Sequence, residues 1–114
     1  MKNLEAITQA SQLRPNTVPD ELKAQWLIQL DSEIAQMKGE TPQPNLYPAE
    51  QDLMMDPEYD YIYPLFLIAQ IDYYNMEFDL YNNDIVKFNE AYKEAKAWYR
   101  RNHPASTNDN WRCW

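Results

Sequence analysis

Two side chains that could serve as nucleophile or proton carrier occur once each in this sequence, His103 and Cys113. An imidazole titrates near neutral pH and a thiolate is a strong nucleophile, but each needs a neighbour that orients or activates it. Neither has such a neighbour at a recognisable spacing: His103 directly precedes Pro104, and Cys113 is next to last. A single cysteine makes no intramolecular disulfide and cannot hold zinc by itself. The carboxylates Asp72, Glu77 and Asp79 are the remaining candidates, as an acid pair or as metal ligands. No histidine accompanies them and no second helix repeats their spacing, so a solvated polar stripe is the better reading. The expectation is a chain without catalytic residues, metal or cofactor. With one glycine, Gly39, there is also no glycine-rich phosphate loop.

Charge excludes a further class. The formal balance is −8, and no Lys or Arg lies between Lys38 and Lys87, a stretch that carries Glu40, Glu50, Asp52, Asp56, Glu58, Asp60, Asp72, Glu77, Asp79 and Asp84. Gripping phosphates requires clustered bases that displace counterions, and this segment repels a duplex instead. A helix-turn-helix reading of the short break between Leu13 and Pro19 fails for the same reason. The helix after it offers Lys23 and Lys38 against Asp20, Glu21, Asp31 and Glu33. An acidic face serves either for solubility or as a wall past which DNA slides without being held.

The elements that position these residues are helical. Leu4, Ile7 and Ala10 share one side of a first helix over 3–13, which Pro15 ends. Pro19 opens a second helix over 19–38, with Asp20 and Glu21 in its first turn and Leu22, Trp26, Leu27, Leu30, Ile34 and Met37 as its apolar face; Gly39 closes it. Five prolines between Glu40 and Pro64 forbid a helix over 40–61 and predict a long, stiffened connection, in which Leu53, Met54 and Met55 are the one candidate strand.

From Ile62 onwards two stripes run together, Ile62, Phe66, Ala69, Tyr73, Met76, Leu80 beside Leu67, Ile71, Tyr74, Phe78, Tyr81. After them Ile85, Phe88, Tyr92, Ala95 and Tyr99 continue the alternation of three and four. Asn82 and Asn83 tolerate the left-handed backbone and cap helices, so the spacing predicts an antiparallel hairpin of helices over 62–82 and 84–103 with its turn there. Lys93, Lys96, Arg100 and Arg101 suit the negative end of the last helix. The fold class is all-α, a bundle of about four helices over 1–103, followed by a tail, 104–114, with no periodicity.

Nine Tyr, four Trp and three Phe are more than such a bundle needs for its core. Phe66, Tyr73, Phe78, Phe88, Tyr92 and Tyr99 are expected to fill the hairpin, whereas Trp111 and Trp114 have no core of their own. Surplus Tyr and Trp are the mark of protein–protein contact. No run of about 18 apolar residues spans a membrane and no signal-peptide core is seen, so the expectation is a soluble chain made in the cytoplasm.

The wording of the hairpin adds to this. QIDYYNMEFDLYNND from Gln70 to Asp84, followed by FNEAY, AWY and RNH, resembles the head–tail connector, or adaptor, family of tailed phages and prophages of low-GC Gram-positive bacteria. LRPN and DELKAQWLIQLDSEI are similar to the family's first-helix exit and second helix, and the likeness covers about residues 4 to 103. Met76 stands where a glycine is frequent in that family, and the Trp-ended tail has no counterpart. The resemblance implies a structural virion protein at the portal vertex. It would form a ring, commonly a dodecamer, that sits beneath the portal, extends the DNA channel and presents a surface to the next neck or tail-completion protein. On that reading Trp111, Trp114, Arg112, Arg100 and Arg101 would dock to the portal or a neighbour, Tyr47, Tyr59, Tyr61 and Tyr63 would line the subunit interface, and Asp72, Glu77 and Asp79 would face the channel. The alternatives are a soluble acidic prophage-encoded regulator that binds a host protein, and another neck component such as a stopper.

Overall fold

A computed structural model describes residues 1–102; residues 103–114 lie outside that description. Four helices follow in order, α1 (Asn3–Leu13), α2 (Asp20–Lys38), α3 (Ile62–Tyr74) and α4 (Phe78–Asn102), and the described residues contain no strand. The all-α bundle read from the periodicity is the fold observed. Its centre is α3, which is apolar on every side and must therefore be covered all round. Ile62, Tyr63, Leu67, Ile68 and Ile71 are buried, and α3 packs against each of the other three helices. Ala6, Ile7 and Ala10 from α1, Leu27, Leu30 and Ile34 from α2, and Phe88 and Ala95 from α4 complete one cluster. Removing each large side chain from water contributes about 1.5–3 kcal/mol, the main stabilising term.

Local chemistry sets the ends of α1 and α2 where the sequence placed them. Pro19 precedes α2 in an extended conformation, and Gly39 closes it at φ 71°. The N–H of Glu40 donates to Ala35 O at 2.8 Å and that of Gly39 to Gln36 O at 3.1 Å, which satisfies carbonyls the helix end would otherwise leave open.

The break between α3 and α4 is displaced from the expected Asn82–Asn83 turn. Both asparagines are exposed inside α4, and the chain turns at Asn75–Met76–Glu77. There the Glu77 N–H reaches Asp72 O at 2.9 Å and the Met76 N–H reaches Tyr73 O at 3.0 Å, the same closure as at Gly39. Met76 takes the left-handed position at φ 60°, as a non-glycine residue. Packing decides this placement. Phe78, Tyr81, Ile85, Phe88, Tyr92, Ala95 and Tyr99 form one unbroken three-four series, so a turn at Asn82 would throw half of it out of phase.

The connection between α2 and α3 lies down on the bundle and forms no strand of its own. Its one extended pairing joins Lys2 and Asp52. Asn3 N donates to Gln51 O and Leu53 N to Met1 O, both at 3.0 Å, while Leu53 and Met55 insert into the core. The molecule measures 52 × 32 × 20 Å. α4, about 37 Å long at 1.5 Å per residue, lies along it as the outer helix, with α3 as its backbone neighbour.

Candidate interaction surface

The acids and tyrosines singled out by the sequence divide into buried and exposed sets. Asp72 is buried, at 1% exposure, and so is not part of any channel-facing surface. It points into the junction of α1, α3 and α4, where Arg14 Nε lies 3.1 Å from its Oδ1 and Arg14 Nη2 lies 2.7 Å from Asp84 Oδ2. The Arg14–Asp72 contact is an ion pair without hydrogen-bond alignment, since Arg14 Nε and both Asp72 oxygens lack a hydrogen-bond partner. Burial, with the Asp84 carboxyl beside it, pushes Asp72 up to about 7 even though Arg14 favours its charge. Burial also opposes the charge on Asp84, yet the Asp72 carboxyl and Arg14 outweigh it and hold Asp84 below the usual carboxylate range. One cation between two buried carboxyls acts as a structural clamp, and the described residues hold no group of three or more His, Cys, Asp or Glu placed to bind a metal ion.

Tyr63 is fully buried and cannot line a subunit interface. A hydroxyl in the core needs partners, and it finds them in Asp31 and the Met55 N–H. Tyr61 is exposed; Tyr47 and Tyr59 are half-buried. Tyr59 Oη donates to Glu94 Oε1 at 3.2 Å and its ring tilts against Trp98 at 5.4 Å, which fastens the loop to α4. Tyr47 lines an open cavity of about 450 Å³ with Glu21, Gln25, Asn45 and Pro48. Glu77 and Asp79 are exposed, as a channel-facing or solvated stripe requires.

The α3–α4 elbow is the surface that sequence reasoning assigned to the core. Tyr73 and Phe78 are 57% and 51% exposed, and Tyr74 and Met76 are 52% and 77% exposed. Because the turn comes at Met76, the two stripes that carry Tyr73 and Phe78 break at the tip of the hairpin instead of running along its inside. The rings meet each other there: Tyr73 lies edge-on to Phe78 at 5.7 Å and to Tyr81 at 5.2 Å, and Tyr74 edge-on to Trp26 at 6.2 Å. Arg14, just after α1, ties the end of that helix to Asp72 beneath the same corner. Large apolar residues concentrated at one exposed spot mark a contact surface. The phase of the Phe78–Tyr99 series was the signal that could have placed the turn.

The bases expected to dock a neighbour, Arg100 and Arg101, are exposed in the last turn of α4, and Lys93 is exposed two turns earlier. Trp111, Arg112, Cys113, Trp114 and His103 fall outside the described residues. No helix among the described residues is long and apolar enough to cross a membrane. Compared with family models, with curated proteins and with solved structures, the chain finds no match in any of the three.

Proposed function

We propose that this chain is a non-catalytic head–tail adaptor of a tailed phage, a ring-forming subunit that joins the portal to the next neck protein around the DNA channel. One observation carries the reading: QIDYYNMEFDLYNND, the segment that resembles the family, folds into the exposed elbow of Tyr73, Tyr74, Met76 and Phe78. Those residues do little for the core of a single copy, so their presence is explained by contact with another chain. The exposed Tyr61 and the tail ending in Trp111 and Trp114 would add surface for the portal, and the exposed carboxylates Glu77 and Asp79 let DNA pass without holding it. The work done is geometric, with binding free energy drawn from buried rings.

The test is to mix the full chain with the portal protein of the phage or prophage that carries it and to measure mass and shape. A ring of chains on the portal is the expected result. A stable 1:1 complex with a host protein, together with no association with portal, overturns the reading in favour of a regulator.

A further inference from the structure

The charges of the described residues are paired unevenly. Lys2, Arg14, Lys23, Lys38 and Lys87 each make an ion pair within the chain. Among the described residues, Lys93, Lys96, Arg100 and Arg101 make none, although Lys96 Nζ sits 4.5 Å from the centre of the Tyr92 ring. Glu77 and Asp79, which flank the exposed rings of the elbow, make none either. α4 thus ends in two unsatisfied surfaces of opposite sign, an acidic one rich in exposed Tyr, Phe and Met and a basic one with Trp98 and Tyr99 at its side. Each is what the other lacks: carboxylates for guanidinium groups, and ring faces for cations.

We propose that the acidic aromatic elbow of one copy docks on the basic last turns of α4 of a second copy. The occupant of each surface is this same chain. The contact rests on the adaptor reading only for its biological setting; its evidence is the complementarity of the two ends. Exposed rings supply the area removed from water, while Glu77 and Asp79 opposite Arg100 and Arg101 fix the direction. Because the two surfaces differ, repetition in the same sense gives a heterologous contact that closes into a ring or runs on as a filament, whereas two antiparallel α4 helices give a closed dimer.

The experiment is sedimentation of the full chain at low salt up to millimolar concentration, with two charge-reversed variants, Glu77→Lys/Asp79→Lys and Arg100→Glu/Arg101→Glu. All four residues are exposed, so both variants should keep the wild-type helical signal. Wild type is expected to self-associate, each variant alone to do so about tenfold more weakly or worse, and an equimolar mixture of the two to associate again, since every elbow then faces an end of opposite sign. Phe78→Ser, which changes no charge, should weaken association as well. A wild type that stays monomeric, variants that associate unchanged, or a mixture that fails to recover overturns the proposal. A closed dimer that obeys the charge swap keeps the docking and counts against the ring. A ring on the portal that ignores these four charges keeps the adaptor and removes the docking.

Discussion

Tyr63 Oη donates to Asp31 Oδ1 at 2.8 Å, joining the core of α3 to a buried carboxylate in the middle of α2. The same hydroxyl accepts the Met55 N–H at 2.9 Å, and Asp31 accepts the Met54 N–H at 2.9 Å and Gln43 Nε2 at 3.1 Å. One pair of side chains therefore holds the long connection against the bundle. Burial, then the nearby Asp31 charge, pushes the Tyr63 hydroxyl upward, so it remains a donor throughout the working pH range.

Tyr63→Phe is expected to cost about 1–3 kcal/mol, because it leaves a buried amide and a buried carboxylate each short of a partner. Asp31→Ala should cost more, since it strands the hydroxyl, the Met54 amide and Gln43 together. Melting temperature reads the loss, at about 4–8 °C per kcal/mol for a domain of this size. Hydrogen exchange locates it: the Met54 and Met55 amides should lose protection in both variants. Unchanged exchange there would mean that the loop is held by Lys38 and Asp56 instead.

Met76 offers the opposite sign. Its backbone at φ 60° costs a side-chain-bearing residue on the order of 1 kcal/mol, which glycine avoids. Met76→Gly is expected to stabilise the fold by up to about 1 kcal/mol, less whatever chain entropy glycine adds to the unfolded state, and Met76→Val to destabilise it by more than that. Urea denaturation of the two variants checks the order.

How much of this was legible follows from the same turn. Period 3.6 located four helices, and Pro15, Pro19 and Gly39 set the ends of α1 and α2, because those residues restrict the backbone by themselves. The α3–α4 turn has no such residue: Asn82 and Asn83 have the right chemistry and do not turn, while Met76 has the wrong chemistry and does. Tertiary packing of the Phe78–Tyr99 face outweighed propensity, and with the turn went the assignment of Tyr73 and Phe78. The buried site was hidden for a different reason. Asp31, Asp72 and Tyr63 look like surface residues until Arg14 and the loop amides are brought to them across the fold.

The Asp72–Arg14–Asp84 junction predicts a pH dependence whose direction is fixed. Asp72 rises from 3.8 to about 7 on folding, so the folded state holds its proton more tightly than the unfolded one. The stability this gives is complete below about pH 4 and is lost as pH rises through 7. Asp84 works in the other direction: held below the usual carboxylate range, it contributes stability that is present above that range and is lost as pH falls through its lowered value. The groups facing Asp72 are Arg14 just after α1, Asp84 and, through it, Lys87 from α4, and Glu77 from the turn. Asp72→Asn removes the titration. The variant should gain on wild type by a few kcal/mol between pH 5 and pH 8, read by denaturation at each pH. Arg14→Met should cost less at pH 5, where Asp72 is protonated and only the Asp84 contact is lost, than at pH 8, where both carboxylates are left without it and the loss reaches about 3–5 kcal/mol. A difference between Asp72→Asn and wild type that stays constant over this range would contradict the assignment.

Phe78 and Phe88 belong to one apolar series on α4, yet they should answer differently to truncation. Phe88 is buried, with its ring 5.1 Å from Phe66 and stacked at 5.4 Å on Tyr92. Phe88→Ala opens a cavity between α3 and α4 and should cost about 3–5 kcal/mol. Phe78 sits half in solvent against Tyr73, so Phe78→Ser should change the stability of a single copy by about 1 kcal/mol or less. Thermal melts at micromolar concentration measure both. If the elbow is a contact surface, Phe78→Ser alters concentration-dependent behaviour while leaving the dilute melt in place, and Phe88→Ala does the reverse. A large loss from Phe78→Ser in dilute solution would instead assign the exposed rings to the monomer's own stability, and the α3–α4 elbow would then hold no aromatic surface left over for a partner.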